Sequence, residues 1–182
     1  TVLPRAGVGN KIPLFHKVDE SAPGNWALLL ANLNSLALDS VFRQKVGGTT
    51  LNFFYVKQFP VIPPNAYISA DVAFIVPRGL ELVYTSSSLE SLARTWGYDG
   101  PPFAWNALRR AVLKAELDAY YAFLYGLTRD ELRYILDPSD VYGRGYPSET
   151  FRVLKTNEQR TYGEYRTQRL VLDAWDRLVR EG

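Results

Sequence analysis

The fold that this sequence predicts is mainly α, a helical domain with a small α+β portion at the N-terminus. Apolar residues recur at the 3.6-residue helical period over several stretches. The Ser/Thr-x-x-Glu pattern that starts helices occurs at Thr128 and at Thr161. Glycine and proline crowd residues 1–24 around short apolar pieces, as in loops and strands. With 182 residues, 47% of them hydrophobic, the chain has material for one core or two small ones. The composition shift places one portion at 1–67 and a helical extension at 68–182.

Each element has a local reason. Ile12, Leu14, Phe15 and Val18 read as a strand or two. A helix follows in which Trp26, Leu29, Leu30, Leu33, Ala37, Ser40 and Val41 share a face; Arg43 and Lys45 occupy its last turn, and Gly47 and Gly48 supply a left-handed stop. Residues 51–56 are aromatic and read as extended, up to the proline-rich 60–64. Short helices across 66–96 are expected to break at Pro77 and at Ser86-Ser87-Ser88, before a turn at 97–102. A long helix over 105–125 turns Leu108, Ala111, Val112, Ala115, Ala119, Ala122 and Phe123 inward until Gly126 ends it. Thr128 and Glu131 form a capping box for a helix reaching Asp137 and Pro138. An irregular loop over 138–147 leads to a short helix and a last one. Thr161 and Glu164 open that last helix, which buries Val171, Leu172, Trp175, Leu178 and Val179.

Composition narrows the chemistry. There is no cysteine, which excludes disulfides and thiolate sites and fits a reducing, cytoplasmic setting. The single histidine, His16, has no partner spacing for a triad or a metal. Asp130 and Glu131 sit in a first helical turn, where acids complement the dipole, so they read as caps rather than as an acid–base pair. Gly7-Val8-Gly9-Asn10-Lys11 lacks the spacing of a phosphate loop. No apolar run is long enough for a membrane span. The absence of any methionine, at the start or elsewhere, leads us to expect a piece of a longer protein.

One segment carries a possible binding chemistry. Net charge is only +2, so any grip on nucleic acid must be local. Arg43, Gln44 and Lys45 leave a helix end together; Gly47 and Gly48 free the backbone; Thr49, Thr50, Asn52 and Lys57 follow. Arginine and lysine neutralise phosphates, hydroxyls bind phosphate oxygens, and amides read adenine edges. The same residues also suit ordinary helix termination, and the pattern leaves both readings open. Arg5 and Lys11 are weaker candidates. Tyr120, Tyr121 and Tyr125 on one helix read as a core wall, although aromatic rings, including Tyr142 and Tyr146 in the later loop, also serve as base-stacking platforms.

Four stretches carry a resemblance: LNSLALDSVFRQKVGGTTLNFFYVKQFPVIPP (33–64), GYDGPPFAW (97–105), LKAELDAYYAFLYGLTRDELRYILD (113–137) and YGEYRTQRLVLDAWD (162–176). Together they resemble the C-terminal region of adenine-specific DNA methyltransferases of the type IIG restriction-modification and related phage-defence class. The first stretch is similar to the end of a target recognition domain. The loop over 138–149 departs from that pattern. The resemblance implies a parent that methylates adenine with S-adenosylmethionine, its catalytic motif lying upstream, and leaves open whether it also cleaves DNA. This fragment would hold no cofactor and no catalytic residue. Its partners would be double-stranded DNA and the upstream methyltransferase domain, with no membrane. DNA contacts would fall to Arg43, Gln44, Lys45, Gly47, Gly48, Thr49, Thr50, Asn52, Lys57, Arg5 and Lys11. The alternative is a helical docking module that joins methyltransferase, nuclease or helicase parts.

Overall fold

The computed structural model describes residues 24–46, 53–147 and 150–181. They form α1 (Gly24–Leu33), α2 (Leu36–Lys45), α3 (Phe53–Val56), α4 (Ser69–Val83), α5 (Glu90–Thr95), α6 (Ala107–Leu124), α7 (Arg129–Leu136), α8 (Pro138–Tyr142), α9 (Arg152–Tyr162) and α10 (Arg166–Glu181), with 3-10 turns at Pro64–Ala66 and Ser87–Leu89. The mainly helical expectation holds. Among the described residues there is no strand, so the α+β portion is not supported: residues 24–46 and 53–67 contain helices and turns, and residues 1–23 and 47–52 lie outside the described residues. The chain divides into two units, one of residues 1–34 and 44–106, the other of 35–43 and 107–182.

In the first unit α1 packs on α4. Ala27, Leu28 and Ala31 are buried on α1, and Ile75, Gly79 and Leu80 on α4. The buried amide of Asn32 accepts the Ile62 N–H at 3.0 Å, which ties the proline segment to α1. Leu80, Tyr84 and Ala93 form a second core with Leu89, Trp96, Tyr98 and Phe103; the Tyr98 and Phe103 rings stack at 4.9 Å.

The second unit is built on α6 and α10. Ala115, Ala119 and Ala122 lie on one stripe of α6, and such small residues let helix axes approach closely. Val171, Ala174 and Trp175 of α10 fill that face, and Leu132 and Leu136 of α7 complete the core. The Arg129 guanidinium spans α7 and α10, donating to both oxygens of Asp176 at 2.7 and 2.9 Å.

Helix ends explain both the agreements and the corrections. At Gly126, φ is +71°, Leu127 N–H donates to Ala122 and Gly126 N–H to Phe123, the paired bonds of a glycine-terminated helix. Thr128 Oγ1 accepts the Glu131 N–H at 3.3 Å, and the Glu131 carboxylate accepts the Thr128 N–H at 2.7 Å. These bonds hold Glu131 below the usual carboxylate range. Thr128→Ala should cost about 1 kcal/mol, read as a lower urea midpoint; an unchanged midpoint would mean that the box adds nothing.

The expected single helix over 26–41 is instead two. Asn34 turns its side-chain amide onto the Leu30 carbonyl at 2.7 Å, and Ser35 Oγ accepts the Leu38 N–H at 3.4 Å, so these two polar side chains compete with the helical ladder and restart it. Residues 53–56 are helical rather than extended, with Lys57 N–H bonded to the Phe53 carbonyl; Phe53 and Phe54 are exposed. Helix α4 continues past Pro77. Ala73 and Pro77 both lie on its exposed side, where water satisfies the carbonyl that proline leaves without a donor. Leu108 (71% exposed) and Phe123 (55%) do not face inward on α6, nor does Val179 (58%) on α10. The Thr161–Glu164 box does not form, because Gly163 at φ +76° ends α9 between them. Glu164 instead binds the Arg169 guanidinium at 2.8 and 2.9 Å.

Candidate nucleic-acid interface

Helix α2 carries the described part of the basic segment, and its own bonds explain its placement. Its amino end is held from α6: the buried Asp118 carboxylate accepts the Leu36 N–H at 2.8 Å. An acceptor oxygen there satisfies one of the free N–H groups at the start of the helix. Ser40 Oγ donates to the Ala37 carbonyl at 2.7 Å. At the other end Arg43, Gln44 and Lys45 are all exposed, and cations in a last turn answer the negative end of the dipole.

The candidates differ in how engaged they are. Arg43 donates through Nε and Nη2 to Asp39 Oδ2, both at 3.1 Å, and its guanidinium lies 5.1 Å from the centre of the Phe151 ring. That exposed pair is weak, of the order of 0.5 kcal/mol, and leaves the guanidinium available to a phosphate. Lys45 and Lys57 make no ion pair with any described residue, and both are exposed. Gln44 belongs with Lys45 and Lys57 to the first unit, Arg43 to the second. Gly47, Gly48, Thr49, Thr50, Asn52, Arg5 and Lys11 lie outside the described residues.

The second unit also contains a buried polar group that the sequence reading did not single out. Asp118, Asp137, Glu158 and Tyr165 are each at most 8% exposed. Burial pushes Asp118 up to about 7, against the lowering effect of the Leu36 amide. Asp137 caps α8 through the Ser139 N–H at 3.2 Å and holds the Lys155 ammonium. Glu158 accepts the Thr167 N–H and hydroxyl, both at 2.7 Å, and so caps α10. The Tyr165 hydroxyl is buried without a hydrogen-bond partner among the described residues, and burial together with Glu158, Asp137 and Asp118 raises its pKa. Asp118, Asp137 and Glu158 are occupied with helix amino termini; Asp137 also accepts the Ser139 hydroxyl at 2.7 Å, as Glu158 does that of Thr167. Among the described residues no histidine, aspartate or glutamate cluster has a metal-binding arrangement.

No family model matches this chain. Nor does any curated protein or solved structure. Among the described residues no helix is long and apolar enough to cross a membrane. The site is therefore described by its own geometry: a helix pinned at its amino end by a buried acid, with three exposed polar side chains, two of them cationic, at its carboxyl end.

Proposed function

We propose that the chain is a non-catalytic DNA-recognition and DNA-positioning part of a cytoplasmic adenine-specific DNA methyltransferase of the restriction-modification class. The observation that carries this reading is the exposed run Arg43-Gln44-Lys45 in the last turn of α2, with Lys57 likewise exposed. The resemblance of residues 33–64 to the end of a target recognition domain supplies the context. Arg43, Lys45 and Lys57 take phosphates. Gln44, Thr49, Thr50 and Asn52 face the groove or the adjacent backbone, and Gly47 and Gly48 permit close approach. The upstream part of the parent supplies S-adenosylmethionine and the methyl transfer, and this part holds the duplex while an adenine is presented.

The test is a salt series of binding to random duplex DNA. Lys45→Ala/Lys57→Ala is a cleaner probe than Arg43→Ala, because Arg43 also packs on Phe151. Loss of two phosphate contacts flattens the slope of log K against log salt by roughly 2 and weakens all sequences alike. An unchanged slope, or no binding by the parent sequence at low salt, would sink the assignment. A docking module is the second reading, favoured by the exposure of Phe53, Phe54, Trp105 and Leu108 at 61–71%. Exposed apolar side chains of this size suit a protein partner.

A further inference from the structure

Three exposed tyrosines of the second unit touch one another in a row. Tyr142, the last residue of α8, meets Tyr134 of α7 edge-on with ring centres 5.8 Å apart. It also lies against Tyr146 at 4.8 Å, the planes inclined by 37°. A turn makes the second contact: Tyr146 N–H donates to the Gly143 carbonyl at 2.9 Å, and Gly143 takes φ +95°, a conformation that side chains disfavour. Arg144 and Gly145 form the corner of that turn and are exposed. The three rings are 41%, 64% and 43% exposed in chain order.

Single surface tyrosines need no explanation, but three in successive contact through Tyr142 make a continuous aromatic ledge. The charges around it are unequally engaged. Asp130 and Asp140 share the Arg133 guanidinium at 3.0 and 2.9 Å, Asp140 also accepts from Gln168, and Asp137 holds Lys155. Arg144 makes no ion pair with any described residue. The acids of this face are turned onto protein donors, while the cation at the corner of the turn points to an anionic partner.

We propose that this ledge stacks the bases of an unpaired nucleic-acid strand, with Arg144 at its phosphates. Every base presents a π face to a ring, and a cation beside the rings tracks the backbone, so the recognition tolerates any sequence. A proline-rich peptide also packs on tyrosines, but its basic flanks call for acids not already held by Arg133 and Lys155. The choice of DNA as the strand rests on the reading above, while the residues are different ones.

The full chain is titrated with a short fluorescent oligothymidine and, separately, with a random duplex. Tyr142→Ala/Tyr146→Ala should bind the oligothymidine roughly tenfold more weakly or worse, and Tyr142→Phe/Tyr146→Phe should bind it as the parent does. Both rings are surface groups, so circular dichroism should show both variants folded. Duplex binding should be unchanged in both. Equal oligothymidine affinity in the alanine variant overturns the proposal. So does a parent chain that binds no oligothymidine, or one that binds a proline-rich peptide in its place through the same two rings. Ring-dependent oligothymidine binding without any duplex binding overturns the grip assigned to α2 and sustains the ledge.

Discussion

Asp118→Asn should make the chain more stable at and above neutral pH, and by more than any surface change. The Asp118 carboxyl is buried on α6 and pushed from 3.8 up to about 7. The folded chain therefore holds this proton more tightly than the unfolded chain does. The resulting stabilisation is complete below about pH 4 and is lost as pH rises through about 7, where the buried group must ionise. Asparagine keeps an oxygen for the Leu36 N–H and never ionises. Urea unfolding should find the variant and the parent chain close at about pH 4 and the variant ahead by about 3 kcal/mol at about pH 8. Parallel stability curves across that range would show that Asp118 titrates as an ordinary carboxylate. Comparing the two chains at each pH cancels every other titrating group.

Lys155→Met should destabilise the second unit by about 3 kcal/mol. The Lys155 ammonium pairs with the Asp137 carboxylate, whose side chain is 6% exposed, and Ser139 N–H and Oγ also donate to it. Removing this cation takes an opposite charge away from a buried carboxylate. Asp137→Asn/Lys155→Met should recover most of the loss, because asparagine also caps a helix. Denaturant midpoints of the three chains test this directly. A single variant within about 0.5 kcal/mol of the parent would refute the buried-pair account, as would a double variant no better than the single one.

Legibility in the sequence followed the range of each interaction. Gly126 and the Thr128–Glu131 box act within a few residues, and both are where the local pattern places them. The break at Asn34 and Ser35 was also local, but the apolar period runs through it and hides two small polar side chains that bond their own backbone. Pro77 misled because a helix tolerates proline when the freed carbonyl faces water, and exposure is a tertiary property. The inward face of α6 was read only in part. Ala115, Ala119 and Ala122 are buried, yet Leu108 and Phe123 extend the same period onto solvent.

The buried acids were the least legible part of the site. Asp118 sits amid Leu117, Ala119, Tyr121 and Ala122, but Glu116 two residues earlier is a carboxylate as well, so the local pattern did not single Asp118 out. Its partner, the Leu36 amide, is 82 residues away, which no local pattern encodes. Of the basic segment, the exposure of Arg43, Gln44, Lys45 and Lys57 agrees with a surface role, while the engagement of Arg43 with Asp39 and Phe151 could not be read from spacing.

The path of the chain through its two units has a consequence for biosynthesis. Residues 35–43 belong to the second unit, the chain then builds most of the first, and it returns at 107. A ribosome delivers α2 long before α6, so the Leu36 amide waits for its acceptor until Asp118 has emerged. The residues of the first unit have all been synthesised while the amino end of α2 still lacks its cap. The second unit therefore cannot be completed in order of synthesis: α2 acquires its buried cap only after Asp118 has been made, and no single cut frees that unit with its own helix attached.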